Sequence, residues 1–218
     1  MPPMVQANKG GAYYRNIRTE LIALAPDIHG RVLEIGCAEG CTMAYLRQRF
    51  NCSVVGLDYC EEALLSARDK GLDVHSCDLN TTDLPFALEE FDYIIIGDVL
   101  EHLYDPWGVL KKIVRHLKGE GTILLSIPNV KHYALLKELI LHDRWDYCDS
   151  GILDISHLRF FTLDGIKKLI RQSGVEICSL ESSCFGPEFI WLLNRICRNR
   201  LHSFLVVQYL VAARKKST

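Results

Sequence analysis

The chain lacks an apolar run long enough to span a membrane. The longest near its end, residues 204–213, is interrupted by Gln208, and a spanning helix needs roughly 20 residues. It also lacks a dominant charge. Its 25 Lys+Arg and 27 Asp+Glu leave a formal net charge of −2, which gives no long-range pull toward nucleic acid or anionic lipid. There is no Cys-x-x-Cys pair, and the nine cysteines are odd in number and scattered. They are expected to be reduced, as small apolar residues mostly in the core. Met1-Pro2-Pro3-Met4 shows no charged region followed by an apolar run, so no signal peptide is expected. No His/Cys/Asp group has metal-ligand spacing, so no required metal is expected. Internal repeats and low-complexity tracts are missing as well. What these absences leave is a cytoplasmic protein, a monomer or homodimer, with a single domain over residues 1–218. Its 49% hydrophobic content suffices for a sizeable core.

What is present is an alternation. Short apolar segments at residues 31–36, 53–58, 72–78, 91–97, 122–127, 175–180 and 204–213 read as strands. Between them, residues 41–50, 61–70, 107–117, 130–141, 164–173 and 188–199 read as helices, and 13–24 as a leading helix with Tyr14, Ile17, Leu21 and Leu24 on one face. Strands alternating with helices imply an α/β fold with a parallel sheet covered on both sides. Lys118-Gly119-Glu120-Gly121 reads as the turn into the fifth strand. Residues 1–12 read as a flexible N-terminus. Residues 130–162 include the one irregular stretch and are expected to form a substrate-side insert or lid.

In an open α/β sheet the ligand sits beyond the carboxyl ends of the strands, at the switch point. The first strand ends there in Glu34-Ile35-Gly36-Cys37-Ala38-Glu39-Gly40. Its glycines permit a sharp turn and a close approach of backbone to ligand. The spacing is Gly-x-x-x-Gly, not the Gly-x-Gly-x-x-Gly of dinucleotide enzymes. Glu34 would repel a pyrophosphate but attract the α-ammonium of an amino-acid ligand. The second strand ends in Asp58, whose carboxylate can accept two hydrogen bonds from ribose hydroxyls.

These residues resemble the first motif of class I S-adenosylmethionine-dependent methyltransferases, with Ala38 in place of a middle glycine, a mild departure. Asp58, followed by Tyr59, resembles the ribose-binding motif. Cys77-Asp78-Leu79 resembles the adenine-contacting segment, and the stretch from Phe91 through Gly97-Asp98 to Glu101-His102 the fourth-strand motif. The resemblance covers about residues 30–130. It implies a Rossmann-like, doubly wound, seven-stranded sheet in three layers, mostly parallel with an antiparallel last strand. It also implies S-adenosylmethionine as methyl donor and S-adenosylhomocysteine as product. Family members often lay an N-terminal helix over the donor, which would bring Tyr14 to the sulfonium and Arg18 to the donor carboxylate.

The acceptor side is carried by histidines and the insert. His102, His132 and His157 follow strand ends on the expected edge, and His is the natural base near neutral pH. Asp154-Ile155-Ser156-His157-Leu158-Arg159-Phe160-Phe161-Thr162 is similar to a stretch of bacterial methyltransferases associated with surface glycans. In it Asp154 would orient His157, and Arg159 would clamp a phosphate or carboxylate. Trp145 and Tyr147 could stack on a sugar or ring, and Asn129 and His132 complete the candidate acceptor contacts.

The leading expectation is therefore methyl transfer to a small molecule, as O-methylation of a sugar or glycan precursor. Quinone or phenol O-methylation is the alternative, because Leu100-Glu101-His102 also resembles that group. A nicotinamide-dependent dehydrogenase and a non-catalytic donor-binding protein are the readings from other classes. No basic stripe suggests nucleic acid as a partner.

Overall fold

The computed structural model describes residues 16–215. Tyr93-Ile94-Ile95-Ile96, buried on both sides, form the middle of strand β4 (Phe91–Gly97), as expected for a central parallel strand. Beside it run β1 (Gly30–Ile35), β2 (Cys52–Asp58) and β3 (Asp73–Ser76) on one flank. On the other are β5 (Leu117–Pro128), β7 (Val206–Lys215) and β6 (Val175–Cys184). The order is β3-β2-β1-β4-β5-β7-β6. Only β7 runs antiparallel to its neighbours, pairing Ser126 with Leu210 and Leu180 with Val211. This is the doubly wound seven-stranded sheet expected from the sequence.

Alternation along each strand divides the core in two. Leu33, Ile35, Ile94 and Ile96 pack under α4 (Pro106–Val114) and α6 (Leu163–Gln172), through Leu110, Ile113, Ile166 and Leu169. Val32, Tyr93 and Ile95 face the other way, onto Leu21 of α1 (Thr19–Ile22), Met43 and Leu46 of α2 (Cys41–Arg49) and Leu64 of α3 (Glu61–Asp69). Helices thus cover both faces, making three layers. Local signals start the helices where expected. Thr162 Oγ1 accepts from Gly165 N–H at 3.3 Å to cap α6, and Asp105 Oδ1 from Gly108 N–H at 3.0 Å to cap α4, with Pro106 in the first turn.

Several boundaries move. The leading helix is only one turn, and residues 1–12, Tyr13 and Tyr14 lie outside the described residues. The Lys118–Gly121 turn is absorbed into β5, because Phe91 already pairs with Leu117 and a register shift before Tyr93 takes up the slack. Arg214 and Lys215 end β7, meeting Thr122 Oγ1 and Glu89. In the insert, α5 (Tyr133–His142) is followed by a loop tied down by isolated bridges Cys148–Asp154 and Asn129–Phe161. After it come α6, β6 and α7 (Glu188–Ile196). Among the described residues no helix is long and apolar enough to cross a membrane.

Candidate active site

The chain reverses direction across the sheet between β1 and β4, and a pocket opens beyond their carboxyl ends. Its floor is the turn after β1. Gly36 and Cys37 N–H donate to Leu57 O at 2.8 and 3.1 Å, locking the turn to β2. Gly36 and Gly40 have φ of +74° and +75°. A Cβ on Gly36 would stand 2.5 Å from Val99 Cγ2, and one on Gly40 2.2 Å from Leu72 Cδ1. Both positions favour glycine, but only Gly36 lines the pocket with bare backbone; Gly40 turns the chain into α2 against Leu72.

Glu34 forms one wall. Burial is the main reason its carboxyl pKa is pushed up to about 8, against the opposing pull of a hydrogen bond to Thr42 and the Arg18 charge. Its Oε2 is buried with no hydrogen-bond partner among the described residues, although such atoms are normally satisfied. An ammonium group, with several N–H donors and a positive charge, fits that vacancy in the bonding pattern. Beside it, burial raises the Cys37 thiol, with the Glu34 charge adding to the effect. That thiol is therefore packing, not a nucleophile.

Asp58 lines the same pocket. Its Oδ2 accepts from Ala38 N–H at 2.8 Å and its Oδ1 from Cys60 N–H at 2.9 Å. Burial raises its pKa while these two N–H groups oppose the rise. Tyr59, Cys77, Asp78 and Leu79 continue the lining. Asp78 Oδ1 accepts from Asn80 N–H at 2.9 Å, which shapes the loop after β3. Gly97 and Asp98 line it as well. Asp98 takes an ion pair from Arg18 and hydrogen bonds from Gln208 and Ser126 Oγ, the last at 2.9 Å. Arg18 thus lines the pocket while its guanidinium ties the N-terminal segment to the end of β4.

Of the candidate acceptor residues, the fold brings His102 and His157 together, with ring centroids 4.7 Å apart. His102 lines the pocket, and Ser156 lies next to it. The group holding His157 Nδ1 is the Ile152 carbonyl at 3.0 Å, whereas the Asp154 carboxylate accepts from Ser156 N–H at 2.9 Å. Arg159 donates to the Tyr104 and Leu158 carbonyls and so braces the loop. Asn129 is fully buried and holds the Ser203 and Val206 carbonyls, while His132 Nε2 meets Phe185 O at 2.9 Å. Both pin α5 to the segments flanking α7. Trp145 and Tyr147 pack on Phe160, at 5.3 and 6.5 Å between centroids. None of these last five lines the pocket.

The pocket adds residues that sequence reasoning passed over: Asn16, Thr42, Asn80, Leu103 and Ser156. Thr42 carried a signal, a polar residue in the first turn of a helix that follows a ligand-binding turn. Asn16 and Asn80 carried none, since polar loop residues are common.

Comparison with known proteins agrees with this geometry. A family model described as a methyltransferase domain matches residues 33–125. The ubiquinone biosynthesis O-methyltransferase of Ruegeria pomeroyi is 30% identical over 186 residues, covering 81% of this chain and 71% of that protein. That of Dinoroseobacter shibae is 31% identical over 166 residues, covering 72% of this chain and 64% of its own length, just under two thirds. In fold, the chain is similar to an S-adenosylmethionine-dependent methyltransferase from Mesorhizobium loti. The TM-score is 0.66 at 19% identity, over 90% of this chain and 96% of that one. It is also similar to the phosphoethanolamine N-methyltransferase 2 of Haemonchus contortus, solved with S-adenosyl-L-methionine. There the TM-score is 0.62 at 17% identity, over 92% of this chain and 52% of that one. A buried Glu34 carboxylate with one oxygen unpartnered among the described residues, the backbone turn at Gly36 and the Asp58 carboxylate thus line one pocket beyond the strand ends. The chain belongs to the class I S-adenosylmethionine-dependent methyltransferases.

Proposed function

We propose that this enzyme methylates a phenolic hydroxyl of a quinone-type small molecule. The observation that carries the reading is the relatedness to enzymes named ubiquinone biosynthesis O-methyltransferase, at 30–31% identity over most of the chain. It favours the quinone or phenol alternative over the sugar or glycan acceptor. The glycan reading leaned on Arg159 as an anion clamp, and that guanidinium is engaged by backbone carbonyls.

The bound donor supplies a methyl group already activated by its sulfonium charge. The chain's own contribution is alignment, which can be worth ~7–11 kcal/mol. Glu34 and Asp58 fix the two ends of the donor, and the turn at Gly36 lets it lie against backbone. A hydroxyl acceptor must also lose its proton. In this reading the His102–His157 pair, of which His102 lines the pocket, promotes that loss.

The test is direct. The purified chain is incubated with S-adenosylmethionine and either an ortho-dihydroxybenzoate bearing an apolar tail or a nucleotide sugar, and S-adenosylhomocysteine is measured by mass spectrometry. Product with the phenol alone is expected. Product with the nucleotide sugar alone would overturn the reading.

A further inference from the structure

Gln208 interrupts the apolar run that becomes β7. The fold gives it a polar partner: its amide Nε2 donates to Asp98 Oδ1, although β5 separates β7 from β4 in the sheet. Ser126 of β5 reaches the same oxygen. Its Oγ donates to Asp98 Oδ1 at 2.9 Å and accepts from Asp98 N–H at 3.1 Å. Asp98 itself sits at φ +55°, a conformation that a non-glycine residue keeps only when its surroundings hold it. Side chains from two neighbouring strands thus converge on one carboxylate oxygen just beyond β4.

The other oxygen, Oδ2, takes the ion pair from Arg18 Nη1. The stem of Arg18 lies against Gly97, where a Cβ would stand 3.1 Å from Arg18 Nε and 3.4 Å from its Cδ and Cγ. Arg18 lines the donor pocket together with Glu34, close enough for its charge to oppose the rise in the Glu34 pKa. A guanidinium carries five N–H donors in one plane. Asp98 occupies part of that fork, and the remaining donors are available to a ligand. The amino-acid end of the methyl donor carries an ammonium and a carboxylate on one carbon. A buried carboxylate with a guanidinium nearby complements both charges.

We infer that Gln208 is a positioning residue for the methyl donor: with Ser126 it restricts Asp98 to a one-oxygen grip on Arg18, which leaves the rest of the guanidinium for the donor carboxylate. Left to themselves, a carboxylate and a guanidinium favour two parallel N–H···O bonds. Here Oδ1 is already taken by two donors, so only Oδ2 turns to Arg18. Without the Gln208 amide, Oδ1 is released to swing onto a second Arg18 N–H, and the fork is drawn toward Asp98 and off the donor. Gln208 does not line the pocket, so it acts through Asp98 and Arg18 alone. The inference concerns selection of the donor's amino-acid end and holds whichever acceptor is methylated.

The experiment compares two ligands of the full chain by calorimetry. S-adenosylhomocysteine has the amino-acid end, whereas 5′-methylthioadenosine has the same nucleoside and sulfur without it. Gln208→Leu is expected to weaken the first at least about fivefold and to leave the second within about twofold. In an Arg18→Met background the same substitution should have no further effect, because the two residues act in series. Ser126→Ala removes the other donor to Oδ1 and should shift selectivity in the same direction, which keeps the test open if Gln208→Leu does not fold. Thermal melting checks the fold of each variant. The unmodified chain should also bind S-adenosylmethionine more tightly than its decarboxylated analogue, which keeps the ammonium and the sulfonium. Equal weakening of both ligands, an unchanged S-adenosylhomocysteine affinity, or an undiminished effect in Arg18→Met would overturn the inference. So would equal binding of the donor and its decarboxylated analogue.

Discussion

Asp58 Oδ2 accepts a hydrogen bond from Ala38 N–H at 2.8 Å, so the acid that ends β2 also clamps the turn that ends β1. Ala38 sits at φ +47°, a conformation that costs an L-residue roughly 1–2 kcal/mol. The alanine that reads as a mild departure in sequence is thus a strained one in the structure, held by its neighbour's carboxylate. Ala38→Gly relieves the strain but loosens the unfolded chain by about 0.4–1 kcal/mol. A net gain of ~1 kcal/mol is expected, seen as a melting temperature higher by about 2–4 °C. Donor affinity should stay within a few fold. A lower melting temperature would contradict this account of the turn.

Asp58→Asn removes a charged acceptor from both the turn and the ribose position. Hydrogen bonds to charged groups are worth roughly 1.5–3 kcal/mol, so a donor Kd weaker by at least about tenfold is expected in calorimetry. An unchanged Kd would place the ribose elsewhere.

Glu34 makes donor binding depend on pH. Its folded-state pKa is raised from 4.5 to about 8. The stability attached to this group is therefore fully present below pH 4.5 and lost as pH rises through about 8. An ammonium beside it favours the ionised form, so binding releases a proton below pH 8. The donor-induced thermal shift should grow from pH 6 to about 8. Glu34→Gln should flatten that rise, weaken the donor and raise the melting temperature of the donor-free protein above pH 8. A rise of the same slope in Glu34→Gln would show that another group titrates.

Thr162 supplies a control away from the pocket. Thr162→Ala removes the cap of α6 and should cost ~1 kcal/mol of stability, read by denaturant unfolding. Donor Kd should be unchanged, because Thr162 does not line the pocket.

The fold was legible because each central strand is a run of buried apolar residues, as in Tyr93-Ile94-Ile95-Ile96, with Gly71 and Gly174 punctuating the helix ends. The donor side was equally legible. Gly36, Gly40 and Asp58 are local to strand ends, and their spacing carries the geometry. The acceptor side was not. Asn129, His132 and Arg159 look like ligands in sequence, yet each satisfies carbonyls of segments far along the chain or in the next turn. Only the folded backbone reveals those partners. The meeting of His102 with His157 is a tertiary contact of the same kind, between a strand-end turn and an irregular loop that has no period to read.

Calorimetric titration of the chain with S-adenosylmethionine tests the central claim most directly. Saturable one-to-one binding, weakened in both Glu34→Gln and Asp58→Asn, is the predicted result. No binding at millimolar donor, or binding that neither substitution alters, would contradict it.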